Sequence, residues 1–214
     1  MKNVIVIGSG GHAKVIIDII QSMNKYKIIG ITSQSFIKGE MFIGYHIIGD
    51  IDVLREFNPK ECLIAMGIGG FRDNLTREKN FIAVKNMGFS FLNVIHPSAI
   101  ISKTCLFGEG IVIFPGVILN TDVFVGDNTI IATGSTIDHE TVIGKHTLVS
   151  AGVTIGAYTT IDDHALIALG AKVVSGINIG KNSLVAAGAV VIKDVQDNEI
   201  VYGIPAKPIK VHND

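Results

Sequence analysis

The stretch Val125–Val149, VGDNTIIATGSTIDHETVIGKHTLV, carries a large apolar residue at every sixth position. A period of six fits neither an α-helix, which repeats every 3.6 residues, nor a hairpin sheet with turns every 8–12 residues. It is the repeat of a parallel β-helix, in which each hexapeptide forms one short strand and one corner. The spacing continues in both directions and gives an unbroken series of sixteen residues: Ile101, Phe107, Ile113, Leu119, Val125, Ile131, Ile137, Ile143, Val149, Ile155, Ile161, Ile167, Val173, Ile179, Val185 and Val191.

A longer period of eighteen residues groups three hexapeptides into one triangular coil, and about five coils fit between Ile101 and Val191. Small or β-branched residues stand two positions before most ladder residues, so a small side chain is expected to face a bulky one across a narrow core. The residue types Gly, Asn and His, which tolerate positive φ, also recur and predict one stacked left-handed corner. Its members are Gly110, Asn128, His146, His164 and Asn182.

Residues 1–95 lack this repeat and predict a separate Rossmann-like α/β domain, with residues 96–214 forming the β-helix domain. Val4–Ile7 is a continuous apolar strand, as expected in a parallel sheet that is covered on both faces. A glycine turn and an apolar helical stripe follow it. Further strands are predicted at Lys27–Ile31 and Cys62–Met66, so that only two or three strands precede the repeat.

The first glycine turn, Gly8-Ser9-Gly10-Gly11-His12-Ala13, matches the GxGxxA pattern of dinucleotide-binding domains. That pattern also needs an acidic residue at the end of the second strand to hold a ribose. Ile31-Thr32-Ser33 supplies none, so an NAD site is not expected. The backbone N–H groups at the start of the helix still suit phosphate or sugar hydroxyls, and Gly67 opens a second glycine turn at the same edge of the sheet.

Composition narrows the class of protein. The 214 residues are 48% apolar, which supports a packed core, and the net charge of −1 gives no electrostatic reason to expect nucleic-acid or anionic-membrane binding. The N-terminal apolar run is too short for a signal peptide or a membrane-spanning helix. The two cysteines have no CxxC spacing. We therefore expect a soluble cytoplasmic protein that does not insert into a membrane.

His139 is the histidine that the repeat does not explain. It lies between two carboxylates in Ile137-Asp138-His139-Glu140, whereas the matching positions in the neighbouring coils are Thr121 and Ala157. A histidine beside a carboxylate can act as a general base, because the acid fixes its tautomer and stabilises the imidazolium. His139 is therefore the candidate catalytic base.

At this point the chain resembles a known family, the bacterial nucleotide-sugar acetyltransferases built from a small sugar-binding domain and a β-helix. The family includes N-acetyltransferases acting on UDP-4-amino sugars and GDP-perosamine, and a related sialic-acid O-acetyltransferase. The glycine-histidine turn together with Asp-His-Glu narrows the resemblance from hexapeptide acyltransferases in general to this group. The matching segments are Gly8–Lys14, Ile64–Gly67, Ile95–Ala99, Ile137–Glu140 and Gly203–Lys207.

The resemblance implies a left-handed coil, which runs against the usual right-handed crossover. It also implies acetyl-CoA as co-substrate, a nucleotide-linked amino sugar as acceptor, a homotrimer with the coenzyme between adjacent prisms, no metal, and a role in surface-polysaccharide or glycan biosynthesis. His139 and Glu140 match the catalytic base and the carboxylate that raises its basicity. Sugar-binding positions match Gly10, Gly11, His12 and Gly67, and coenzyme-binding positions match Leu169, Ala187 and the Lys207 segment.

This chain departs from the family pattern at two places. Thr32-Ser33, at the substrate-binding position, replaces an acidic pair of the UDP-sugar member, so the nucleobase and the sugar stay open. Leu148 stands in the coenzyme region where several members carry a second histidine. Three alternatives to N-acetylation also stay open: sugar O-acetylation of the sialic-acid type, a zinc carbonic anhydrase-like enzyme, and a non-catalytic binding protein. The zinc enzymes use a histidine pair five residues apart, which this chain lacks.

Overall fold

The structure, a computed structural model, describes residues 1–70 and 74–209. It divides the chain into two compact units, Met1–Pro97 and the chain from Ser98 onward, close to the boundary expected after residue 95. Within the described residues, no helix has the length and apolar character that a bilayer crossing requires.

The first unit contains a sheet of five strands. Their spatial order is Met41–Phe42, Tyr45–Gly49, Tyr26–Thr32, Lys2–Ile7 and Cys62–Met66, and all pairs are parallel except the first. The prediction of only two or three strands was wrong, because it missed the short hairpin at Met41–Gly49. Glycines and exposed apolar residues in this hairpin obscure the alternation of apolar and polar residues that marks a strand. The elements are β1 Lys2–Ile7, α1 Gly11–Met23, β2 Tyr26–Thr32, β3 Met41–Phe42, β4 Tyr45–Gly49, a 3₁₀ helix Ile51–Glu56, β5 Cys62–Met66, α2 Asn74–Asn86 and β6 Val94–Ile95.

The central strand β1 organises this unit. Val4–Ile7 is buried on both sides of the sheet, which explains its uninterrupted apolar sequence. Strands β2 and β5 flank β1 and run parallel to it. Their carboxyl ends therefore meet at one edge of the sheet, the edge at which open α/β sheets bind ligands.

The second unit is a three-sided prism of very short strands, a left-handed parallel β-helix as predicted. Up to Val191, each strand pairs in parallel with the one eighteen residues further along, as in the run Leu119, Ile137 and Ile155, and only the C-terminal strands depart from this spacing. We call the three sides faces A, B and C. Face A contains Ile100–Ile101, Ile118–Leu119, Thr136–Ile137, Thr154–Ile155, Lys172–Val173 and Val190–Val191. Face B contains Leu106–Phe107, Phe124–Val125, Val142–Ile143, Thr160–Ile161 and Asn178–Ile179. Face C contains Val112–Ile113, Ile130–Ile131, Leu148–Val149, Leu166–Ile167, Leu184–Val185, Ile200–Tyr202 and Lys207–Pro208.

The apolar ladder forms the core of the prism. All its members from Ile113 to Val191 are at most 3% exposed, whereas Ile101 and Phe107 in the first coil are partly exposed. Among the small residues opposite them, Thr129 and Ser135 have buried hydroxyls that form hydrogen bonds. Thr129 Oγ1 donates to the Gly144 carbonyl at 2.8 Å, and Ser135 Oγ donates to the Ser150 carbonyl at 2.8 Å. These bonds join one coil to the next.

The corners carry two kinds of constraint. The predicted left-handed corner between faces B and C is confirmed, since φ at Asn128, His146, His164 and Asn182 lies between 55° and 63°. The glycine series that contains Gly126 recurs for another reason: a Cβ there would lie 2.7 Å from the Gly144 carbonyl carbon in the next coil. A further left-handed corner, between faces A and B, was not predicted; its members are Asp122, Glu140, Tyr158 and Gly176.

Candidate active site

His139 and Glu140 form the corner that leads from face A to face B. Their side chains are 40% and 49% exposed, so both can reach a bound molecule. Nδ1 of His139 lies 3.1 Å from Oε2 of Glu140, and because a carboxylate can only accept, Nδ1 carries the proton in the neutral imidazole. Nε2, which no described residue hydrogen-bonds, then holds the lone pair that a general base needs.

Asp138 holds the backbone of this corner. Its Oδ1 accepts the His139 backbone N–H at 2.8 Å and the Asn120 side-chain amide at 2.8 Å. These two bonds, first the backbone one and then the amide, lower the pKa of Asp138, so the carboxylate stays ionised and keeps the turn. Asp138 therefore supports the peptide of His139, while Glu140 is the acid that contacts the imidazole ring.

Tyr158 stacks on this corner from the next coil. Its ring meets the His139 ring edge-on, with centroids 5.0 Å apart and planes at 86°, and its backbone N–H donates to the His139 carbonyl at 3.1 Å. The Tyr158 hydroxyl lies beside the Glu140 carboxylate and lowers the pKa of Glu140, with the His139 bond adding to the effect, and the carboxylate raises the pKa of Tyr158. The corner thus joins three side chains, not two.

The predicted coenzyme residues are distributed over two parts of the prism. Leu169 and Ala187 stand eighteen residues apart on the corner between faces C and A, and both are exposed. Lys207 is exposed in the last strand of face C, which pairs antiparallel with Ile200–Tyr202. Leu148 lies on face C with only 8% of its surface exposed, so it is not grouped with the two corner residues.

The histidines of the corner between faces B and C have structural partners. His146 and His164 stack with ring centroids 5.0 Å apart and planes at 11°, and the Asn128 amide lies 2.9 Å from Nδ1 of His146. His146 is only 9% exposed. No group of three or more His, Cys, Asp or Glu residues that could hold a metal ion occurs in ranges 1–70 and 74–209.

In the first unit, the glycine turns lie at the carboxyl ends of β1 and β5. Gly10 caps helix α1, no side chain caps this end, and a Cβ at Gly10 or Gly11 would meet nothing within 4 Å. The space beside these two glycines at the start of α1 is therefore open. Gly67 is different, because a Cβ there would lie 2.6 Å from the Ile7 carbonyl oxygen, a contact that only glycine avoids.

His12 stands in the first turn of α1 as a neutral imidazole. Burial, with a smaller contribution from the charge of Arg77, lowers the pKa of His12 to about 3. Arg77 is fully buried, and its guanidinium donates to the carbonyl oxygens of Met66 and Ile68 on either side of Gly67. Arg77 therefore holds the second glycine turn, and its charge acts on His12 in the first.

Thr32 and Ser33 end strand β2 next to the first glycine turn, and both are buried. The Ser33 hydroxyl lies 2.6 Å from the Ser9 hydroxyl and accepts the backbone N–H groups of Ser35 and Phe36. The structure therefore uses Ser33 to hold the turn after β2, at the same edge of the sheet as His12.

Known proteins share this architecture. A family model described as the PglD N-terminal domain matches residues 3–84. A curated relative, the UDP-N-acetylbacillosamine N-acetyltransferase of Bacillus subtilis (strain 168), is 32% identical over 120 residues; the match covers 52% of this chain and 51% of that protein, about half its length. A solved mutant of the GDP-perosamine N-acetyltransferase of Caulobacter crescentus, in complex with CoA and GDP-perosamine, is 30% identical, with 98% of each chain covered and a TM-score of 0.90.

The chain belongs to the nucleotide-sugar N-acetyltransferase family. The acetyltransferase domain of PglB from Neisseria gonorrhoeae FA1090, in complex with acetyl coenzyme A, agrees with this: it is 27% identical, the match covers 97% of this chain and 99% of that one, and the TM-score is 0.89. The predicted family, fold class and enzyme class are confirmed by these similarities.

Two residues of this N-acetyltransferase were not among the predicted site residues. Tyr158 and Asn120 each lie eighteen residues from a member of the Asp138–Glu140 turn, which is the stacking distance of the coil. Applying the eighteen-residue period to the candidate base, as well as to the glycines, would have found both. In contrast, no pattern in the sequence indicates the buried position of Arg77.

Proposed function

We propose that this chain transfers the acetyl group of acetyl-CoA to the amino group of a nucleotide-linked 4-amino-deoxysugar. One observation carries the proposal: an exposed imidazole whose Nδ1 is held by a carboxylate 3.1 Å away. This is the arrangement that general-base removal of an amine proton needs. The N-acetyltransferases of Bacillus and Caulobacter, whose names specify amino-sugar acceptors, favour N-acetylation over the O-acetyl, zinc and non-catalytic alternatives.

In the proposed mechanism, the amine nitrogen attacks the thioester carbonyl carbon directly. His139 Nε2 takes a proton from that nitrogen, and Glu140 stabilises the imidazolium that forms. The carbon–sulfur bond breaks, CoA leaves as a thiolate, and the proton passes from His139 to the sulfur. Direct attack is favoured because the described partners of His139 include no serine, threonine or cysteine side chain that could form an acyl-enzyme.

The first unit is proposed to bind the nucleotide-sugar. The backbone N–H groups at the start of α1 can donate hydrogen bonds to phosphate or hydroxyl oxygens of the ligand, and the helix dipole favours a negative charge there. His12 is neutral, so it can contribute a hydrogen bond but no charge. Gly67 keeps the second turn close to β1, with Thr32 and Ser33 closing the edge beside it.

A homotrimer is proposed because one prism does not bring its predicted parts together. His139 lies on the corner between faces A and B, and Leu169 and Ala187 lie on the corner between faces C and A. These two corners are separated by the width of face A, on the order of 15 Å at about 3.3 Å per residue. Packing prisms around a threefold axis would place the A–B corner of one copy beside the C–A corner of the next, with acetyl-CoA between them.

A substrate screen tests the proposal. UDP-, GDP- and dTDP-linked 4-amino-deoxysugars are each mixed with the protein and acetyl-CoA, thiol release is followed, and the product is identified by mass spectrometry. We expect one amino sugar to gain a single acetyl group and its 4-hydroxyl analogue to gain none. Acetylation of the hydroxyl analogue at an equal rate would replace the proposal with O-acetylation. Light scattering on the same sample is expected to give the mass of three chains, and a monomeric mass would contradict the shared coenzyme site.

A further inference from the structure

Tyr158 occupies a backbone conformation that its residue type does not favour. The corner between faces A and B contains Asp122, Glu140, Tyr158 and Gly176, with φ values of 59°, 55°, 57° and 73°. Glycine adopts this left-handed conformation without strain, and aspartate tolerates it, whereas a bulky side chain there is uncommon. The backbone alone does not favour tyrosine at this position, so the reason must lie with the side chain.

The side chain of Tyr158 makes no contribution to the core, since it is 60% exposed. Its contacts go to the corner below it: the ring meets the imidazole of His139 edge-on at 5.0 Å, and the hydroxyl lies beside the carboxylate of Glu140. The backbone bond from the Tyr158 N–H to the His139 carbonyl, 3.1 Å long, fixes the register between the two coils. Tyr158 therefore contacts both the proposed base, His139, and the carboxylate beside it, Glu140.

We propose that Tyr158 is a positioning residue for the acetyl-transfer reaction, which holds the Glu140 carboxylate against Nδ1 of His139 and fixes the plane of the imidazole. This inference rests on the proposed function, because it assigns a purpose to the orientation of Nε2. An exposed glutamate samples several rotamers, and a second hydrogen bond to its carboxylate restricts them. Tyr158 is assigned no contact with either substrate.

Two variants separate the hydroxyl from the ring. Tyr158→Phe keeps the ring and removes the hydroxyl, and Tyr158→Asn removes both while suiting a left-handed backbone. Tyr45→Phe is the matched control, since the Tyr45 hydroxyl also has a side-chain partner, Gln21 at 3.1 Å, but lies in the first unit at the start of β4. Thermal unfolding of all three checks that the fold is retained.

Steady-state kinetics with both substrates give the first measurement. We expect kcat to fall about fivefold in Tyr158→Phe, the order expected for one lost hydrogen bond, and about tenfold or more in Tyr158→Asn. KM for acetyl-CoA and for the sugar should not change, because Tyr158 contacts neither. Tyr45→Phe should match the unmodified protein in every respect.

A second measurement does not depend on turnover. Titration of the Glu140 carboxyl by carbon-13 NMR should show its pKa rising in Tyr158→Phe and staying constant in Tyr45→Phe. Unchanged kcat and unchanged Glu140 titration in Tyr158→Phe would overturn the assignment. Failure of the proposed function is recognised separately, because then the unmodified protein acetylates no amino sugar even though the Glu140 titration responds to Tyr158.

Discussion

Two corners of the same prism carry histidines, and they use them in opposite ways. At the corner between faces B and C, His146 and His164 stack on each other at 5.0 Å in a left-handed column. At the corner between faces A and B, His139 points its Nδ1 at a carboxylate, and 40% of its side chain is exposed. His146 and His164 occupy positions where the repeat requires a residue that tolerates positive φ. The repeat does not require a histidine at the position of His139. In a repeat protein, a residue that differs from those at the equivalent positions of neighbouring coils is therefore a candidate functional residue.

Replacing the two kinds of histidine gives the largest expected contrast. His139→Asn should lower kcat by about 10²–10⁴-fold, the usual contribution of a general base, while binding of acetyl-CoA by calorimetry stays nearly constant. His164→Asn, the control, should keep full activity, because asparagine tolerates the left-handed backbone at φ 63°. Equal rates for His139→Asn and the unmodified protein would remove His139 from the mechanism.

The free energy of unfolding of the prism should depend far more on the inward-facing ladder residues than on the outward-facing residues of the same strands. Within the strand Thr154–Ile155, Ile155 points inward and is 1% exposed, and Thr154 points outward and is exposed. Ile155→Ala should cost about 2–5 kcal/mol of unfolding free energy through lost burial and a residual cavity. Thr154→Ala should cost less than about 0.5 kcal/mol. Denaturant unfolding measures both, and similar losses would mean that the ladder does not carry the core.

Glycines at two corners sharpen the comparison further. Gly126→Ala would place a Cβ 2.7 Å from the backbone of the next coil, and such overpacking costs about 1–3 kcal/mol. Gly134 has φ 69° but open space around its Cβ position, so Gly134→Asn should cost much less. The order of the two melting temperatures is the test. A lower value for Gly134→Asn would show that backbone conformation limits these corners more than crowding does.

The first unit provides a third histidine environment, whose predicted effect is confined to acidic pH. Because the folded-state pKa of His12 is about 3, below the unfolded value of 6.5, the unfolded chain binds an extra proton between these two pH values. His12 therefore destabilises the fold progressively as pH falls below 6.5, by about 1.4 kcal/mol per pH unit at most. His12→Gln should flatten the dependence of unfolding free energy on pH between 4 and 6.5. Parallel curves for the two proteins would show that His12 is protonated in the fold.

The sequence predicted the prism almost residue by residue and the first unit only in outline. Eighteen-residue periodicity repeats each requirement five or so times, so the signal of Ile131 or Asn128 is reinforced by its neighbours in the stack. The hairpin at Met41–Gly49 has no such support, and its two-residue first strand is too short to stand out.

The candidate base was predicted because its residue type differs from those at the same position in neighbouring coils. Residues that contribute to the site from distant parts of the sequence were missed. His139 was found because its neighbours in the stack are Thr121 and Ala157. Tyr158 was missed because a tyrosine near a turn has no local signal, and its meaning comes only from the residue eighteen positions earlier. Arg77 was missed because burial of a cation is decided by tertiary packing, and local sequence does not encode it.

The eighteen-residue register also limits how this protein can change length. Removing or adding one whole turn of the prism would leave every remaining edge aligned with the same edge above and below. A change of six residues between Leu169 and Ala187 would instead rotate everything that follows by one side, and Ala187 would then no longer stand on the corner that Leu169 occupies. Insertions and deletions in relatives are therefore expected in units of complete turns, or as loops that leave the prism and return at the same corner.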